Sequence, residues 1–189
     1  MRLVVIYLLV ASASECASYL AYANKQYLTK TVISHLYSII EAMILSSYFI
    51  YANKSYHHEK LIIAALVSWP SVGLLNIAFL QPVNGLNSNV ILLESFIFIT
   101  LSLYSIYALL KDEMVFGLRH NSQFQFSIIS LVMWSSTLFF WATIRILYRN
   151  RWPHVHTLMD IQVIINTLAY LAITATLLNS IKKKTIENV

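Results

Sequence analysis

The sequence predicts an all-α fold: a polytopic membrane helix bundle with about six transmembrane helices, in one domain over residues 1–180, followed by a basic cytoplasmic tail over 181–189. Three observations predict it. Of the 189 residues, 58% are hydrophobic and 11% charged, whereas a soluble domain is about 45–50% apolar and about 25% charged. A soluble chain of this length leaves too much surface outside to hide that much apolar area. The apolar residues also gather into six long runs, each near the roughly 20 residues that cross a bilayer. Finally, Gly and Pro number three each, which suits helices that run on without breaks.

The runs are Leu3–Ala23, Thr31–Ala52, Leu61–Leu80, Asn89–Leu110, Phe124–Tyr148 and Val155–Ser180. The first opens on Met1-Arg2 and an apolar stretch with small residues at Ala11 and Ala13, in the manner of a signal peptide. Its apolar character continues to Tyr22, beyond an ordinary signal core of about 7–15 residues, and favours a span. Glu15 beside Cys16 does not fit a lipoprotein signal. The third run holds Trp69-Pro70 and Gly73, and the proline predicts a kink. The uncharged stretch Gln81-Pro82-Val83-Asn84-Gly85-Leu86-Asn87-Ser88 predicts a tight turn, with Asn87 or Ser88 placed to cap the fourth helix.

The basic residues set a direction. Arg2, Lys54, Lys60, Lys111, Arg119, Lys182, Lys183 and Lys184 fall on one side, and Lys25, Lys30, Arg145, Arg149 and Arg151 on the other, eight against five. The positive-inside rule then puts both termini in the cytoplasm, in a protein expected in the inner (cytoplasmic) membrane. The net charge of +5 thus belongs to loops at a lipid surface, and no nucleic-acid partner is expected. The Lys182–Lys184 tail reads as an anchor to anionic lipid.

Ionisable groups within a span cost roughly 2.5–3.5 kcal/mol on insertion scales and usually face the bundle interior. Here they are Glu15, His35, Glu41, Glu94, Arg145 and Asp160. With a rise of about 1.5 Å per residue, all six fall at mid-depth or in the outer half of the bilayer. Ser34, Tyr37, Ser38, Glu41 and Tyr48 share one face of the second run, and Ser12, Glu15, Tyr19 and Tyr22 share one face of the first. A polar cavity open to the extracytoplasmic side follows as an expectation. Its candidate ligand-binding residues are Glu15, His35, Tyr37, Glu41, Glu94, Arg145 and Asp160. Four acids against one arginine and one histidine suit a proton, a cation or an amine. The alternative is that these residues only join helices through buried hydrogen bonds.

Other signals carry less chemistry. One cysteine, Cys16, excludes an internal disulfide and a Cys-rich metal site. His57-His58 and His154-Val155-His156 fall on opposite sides of the membrane, so they do not form one metal site. There is no Gly-x-Ser-x-Gly elbow, HExxH or phosphate loop, so no catalytic residue, metal or cofactor is assigned. Ser135-Ser136-Thr137 reads as helix packing, and Trp134, Trp141 and Trp152 as core or interfacial anchors.

Several polar words in order carry a resemblance. They are Ile6-Tyr7-Leu8-Leu9-Val10 leading to Glu15, then Ser18-Tyr19-Leu20; His35-Leu36-Tyr37-Ser38-Ile39-Ile40-Glu41; Gln81 to Ser88 followed by Glu94-Ser95 and Leu101-Ser102-Leu103-Tyr104; and Leu109-Leu110-Lys111-Asp112. From about residue 4 to about 180 the chain resembles a family of uncharacterised multi-pass membrane proteins common in Bacteroidota. The resemblance implies a helical bundle and brings no activity. That family has an extra front helix, so it also implies an open flank here, closed by a second copy or a membrane partner. The family's histidine four residues before an asparagine is replaced by Gln162 before Asn166. Its Asn-Ser-Gly run reads Ser127-Ile128-Ile129, and its later Gly-Asn pair reads Ser136-Thr137.

The expected function is a sensory or ligand-binding membrane protein, or an accessory subunit. A small transporter or channel subunit is the first alternative. An intramembrane lipid-acting enzyme, with His35, Glu41, Glu94 and Asp160 as acid/base groups, is the second.

Overall fold

The computed structural model describes residues 2–53, 58–85, 87–111, 118, 121–150 and 155–187; of residues 58, 145, 148, 149, 156 and 183–187 it describes the backbone alone. The described residues are helical with no strand. The helices are α1 (Arg2–Ala23), α2 (Tyr27–Ala52), α3 (His58–Leu75), α4 (Ser88–Lys111), α5 (Ser122–Arg149) and α6 (Val155–Glu187); α3 runs on into a π-helical turn at Asn76–Leu80. Six helices are long and apolar enough to cross a membrane, with mean hydropathy of 1.3 to 1.9 over their most apolar stretches. The protein is a polytopic integral membrane protein. Large side chains such as Leu9, Phe79, Phe139 and Leu171 are exposed, an arrangement that water penalises and lipid tails accept.

Helix α3 passes through Pro70 without interruption. A π turn follows it at Asn76–Leu80, a form that is rare and often found at functional positions. Helix α6 continues to Glu187, so residues 181–187 of the basic tail extend the last helix.

The chain forms two compact units, residues 1–94 and 95–189. In the first, α1 packs on α2 and α2 on α3, around Val4, Tyr7, Ala42, Leu45, Phe49 and Trp69. The Trp69 indole N–H donates to Ser46 Oγ at 2.8 Å, which satisfies the one polar atom of a buried tryptophan. At Gly73 a Cβ would collide with the Ile39 side chain, so glycine there lets α3 approach α2 closely. The α1–α2 connection is a Schellman turn. The Gln26 amide donates to Ala21 O at 2.8 Å and the Lys25 amide to Tyr22 O at 2.9 Å, with Lys25 in the left-handed region at φ 59°. Lys30 Nζ lies 5.1 Å from the Tyr22 ring centroid, a cation–π contact across the turn.

In the second unit α5 packs on α6. Phe98 of α4 meets Trp134 of α5 with ring centroids 4.9 Å apart. Both are buried.

Candidate functional site

The candidate site forms in the first unit on the polar face of α2. Ser38 and Glu41 stand three residues apart and therefore one above the other. Both are buried, and Tyr37 beside them is half-buried. Ser34, expected on the same face, is exposed. Helix α1 contributes Tyr7 and α4 contributes Glu94, each 0% exposed.

The Tyr37 and Tyr7 phenols lie close enough to act on the Glu41 carboxyl. The Glu94 carboxyl feels Glu41 as its neighbouring charge. Neither Glu94 oxygen has a hydrogen-bond partner among the described residues. Two acids thus share an apolar interior with phenols around them, and no basic group acts on either among the described residues. Glu15 lies exposed on α1 and still contributes charge at Glu41.

A second polar cluster joins α2, the π turn and the start of α4. A carbonyl only accepts, so the 3.3 Å contact of His35 Nε2 with Gly85 O places a proton on Nε2. Asn87 Nδ2 donates to Ser38 Oγ at 2.5 Å, and Asn76 Nδ2 to Asn87 Oδ1 at 3.4 Å. Gln81 Nε2 donates to Ser88 Oγ at 2.7 Å, while Gln81 Oε1 accepts from the Asn89 amide at 3.0 Å. Gln81 thereby caps α4 from across the turn. The side chains of Asn87 and Ser88, expected as caps, bond Ser38 of α2 and Gln81. Asn76 is buried, and its amide joins the turn to the bundle through Gln81 and Asn89 as well.

Of the residues that the sequence proposes, the structure brings Tyr37, Glu41 and Glu94 together and sets His35 on the adjoining amide cluster. Asp160 is exposed on α6 in the second unit. The Arg145 side chain lies outside the described residues, as do His57 and His154; His58 and His156 are described by backbone alone. Ser12, Tyr19 and Tyr22, expected beside Glu15 on one lining face, are exposed like it. Sequence reading missed Tyr7, whose signal is a phenol inside the aliphatic run Ile6–Val10. It also missed Asn76, since nothing in the sequence announces a π turn. In the second unit, Gln162 Nε2 donates to Thr137 Oγ1 at 2.9 Å and to Asn166 Oδ1 at 3.0 Å, so that pair ties α6 to α5.

No group of three or more His, Cys, Asp or Glu side chains suited to a metal ion occurs among the described residues. The acid pair with its phenols suits a smaller task, binding a proton or a singly charged cation. No family model, curated protein or solved structure matches the chain.

Proposed function

We propose that the protein binds a proton at the Glu41–Glu94 pair and works as a sensory or accessory subunit of the cytoplasmic membrane, with both termini inside. The observation that carries this reading is Glu94. It is fully buried, its oxygens have no hydrogen-bond partner among the described residues, and its charged neighbour is another acid. Removing an ion from water costs several kcal/mol even after relaxation, and an unpaired one recovers none of it. The pair avoids that cost when one of its carboxyls keeps its proton, and the two titrate together. The phenols of Tyr7 and Tyr37, which act on Glu41, are groups able to donate to a carboxylate oxygen that stays charged. The eight-to-five division of Lys and Arg supports the orientation.

Infrared difference spectroscopy tests the reading. A protein in which one carboxyl of the pair keeps its proton shows the carbonyl stretch of a buried, protonated carboxyl at neutral pH. Glu94→Gln removes that band, and Glu41→Gln removes or shifts it. Two ionised carboxylates in the unmodified protein, with no such band, would overturn the proposal.

A further inference from the structure

Hydroxyl side chains on these helices mostly return their proton to a carbonyl one turn back. Ser12, Thr31, Ser47, Ser71, Thr100 and Thr143 all do so, at 2.7 to 2.9 Å. The seam between α4 and α5 behaves differently. Ser127 Oγ donates to Ser105 Oγ at 3.0 Å, and Gln123 Nε2 donates to the same Ser105 Oγ at 3.1 Å. These hydroxyls point across the seam.

The two helices run antiparallel there in one register. Ser105 faces Ser127 and Phe98 faces Trp134, seven residues further along on each helix. Three residues from Ser105 toward Phe98 is Ser102. Three from Ser127 toward Trp134 is Ser130. Ser102 and Ser130 therefore face each other between the hydroxyl rung and the aromatic rung. Both are fully or almost fully buried, at 0% and 1% exposed, and Trp134 is at 3%. Ser102 Oγ, Ser130 Oγ and Trp134 Nε1 have no hydrogen-bond partner among the described residues.

Three buried polar groups thus lie on adjacent levels of one seam, and the two hydroxyls do not hydrogen-bond each other. We propose that these levels form an internal water site, with a water molecule bridging Ser102, Ser130 and the Trp134 indole N–H. Buried waters typically make about three hydrogen bonds to groups that are otherwise unsatisfied. The indole only donates, so the water accepts from Trp134 and donates to the serine oxygens. The water continues the hydrogen-bonded ladder of Gln123, Ser105 and Ser127 into the middle of the span, and the Phe98–Trp134 rings end it. This inference concerns the second unit alone and is independent of the acid pair.

Trp134 reports on the site. In the full chain carrying Trp69→Phe, Trp141→Phe and Trp152→Phe, the remaining tryptophan should show a gain in fluorescence yield on transfer from H2O to D2O. Ser102→Ala and Ser130→Ala should each weaken that isotope effect, and together abolish it with a shift of emission to the blue. If the triple-Phe chain does not fold, the indole N–H resonance that Trp134→Phe removes from the four-tryptophan protein should show a cross-peak to water, and the serine variants should lose it. If the hydroxyls instead close onto their own helices, Trp134 is dry. The isotope effect and the cross-peak are then absent, the alanine variants change nothing, and the proposal falls.

Discussion

Glu94 sits where packing alone would place a leucine. It is enclosed on all sides, and its neighbour Glu41 offers repulsion when both are charged. A buried polar group left without a hydrogen-bond partner costs about 1–3 kcal/mol, which an apolar side chain of similar volume avoids. Glu94→Leu should therefore raise the thermal midpoint in detergent while removing the infrared carboxyl band. A fall in midpoint would show that Glu94 has structural partners. Glu41 and Glu94 were legible in the sequence because charge in an apolar run has no ordinary structural use. Tyr7 was not, because tyrosine is common in membrane helices and only the fold sets its hydroxyl beside Glu41. Glu15 and Asp160 carry the same sequence signal as Glu94, yet both are exposed. Sequence gives the depth of an ionisable group more readily than its rotation about the helix axis.

Among the elements, the helices themselves are read well from hydropathy: every expected span matches a helix to within a few residues at either end, the tail of α6 excepted. The irregular pieces are not. The π turn at Asn76–Leu80 follows from the hydrogen bonds of Asn76 and Gln81 with residues beyond the turn, and local propensity says nothing of those. The α1–α2 turn shows a position that the sequence fills poorly. Lys25 holds the left-handed conformation in a place that glycine fills in most such turns. An L-residue there costs roughly 1–2 kcal/mol. Lys25→Gly should raise stability by somewhat less than that, because glycine also loses more entropy on folding. The gain is read as a higher thermal midpoint. No change, or a loss, would mean that the Lys25 side chain makes a compensating contact.

Across the whole molecule, the abundance of exposed apolar side chains makes lipid the covering layer. Cys16 gives a direct check. It is exposed on α1, seven residues from Ala23, which at about 1.5 Å per residue puts it about 10 Å inside the helix end. A membrane-impermeant maleimide should leave Cys16 unlabelled in intact membranes from either side, and label it once detergent replaces the bilayer with a looser micelle. Labelling in intact membranes would place that face of α1 against water. The class of fold was therefore written in composition, while the pairing of side chains depends on which residues α1, α2 and α4 bury, Tyr7, Glu41 and Glu94 among them.

The burial of α2 has a consequence for biosynthesis. Among the six spans it has the lowest mean hydropathy, 1.3, and the largest share of its most apolar stretch enclosed, 50%. Synthesis proceeds from the N-terminus, so α2 enters the bilayer with Glu41 while only α1 exists to cover it. Glu94 arrives two helices later. In that interval Tyr7 and Tyr37 are the polar company that Glu41 has, and they act as its escort during insertion. The acid pair is completed only when the nascent chain has delivered α4, late in the assembly of the first unit.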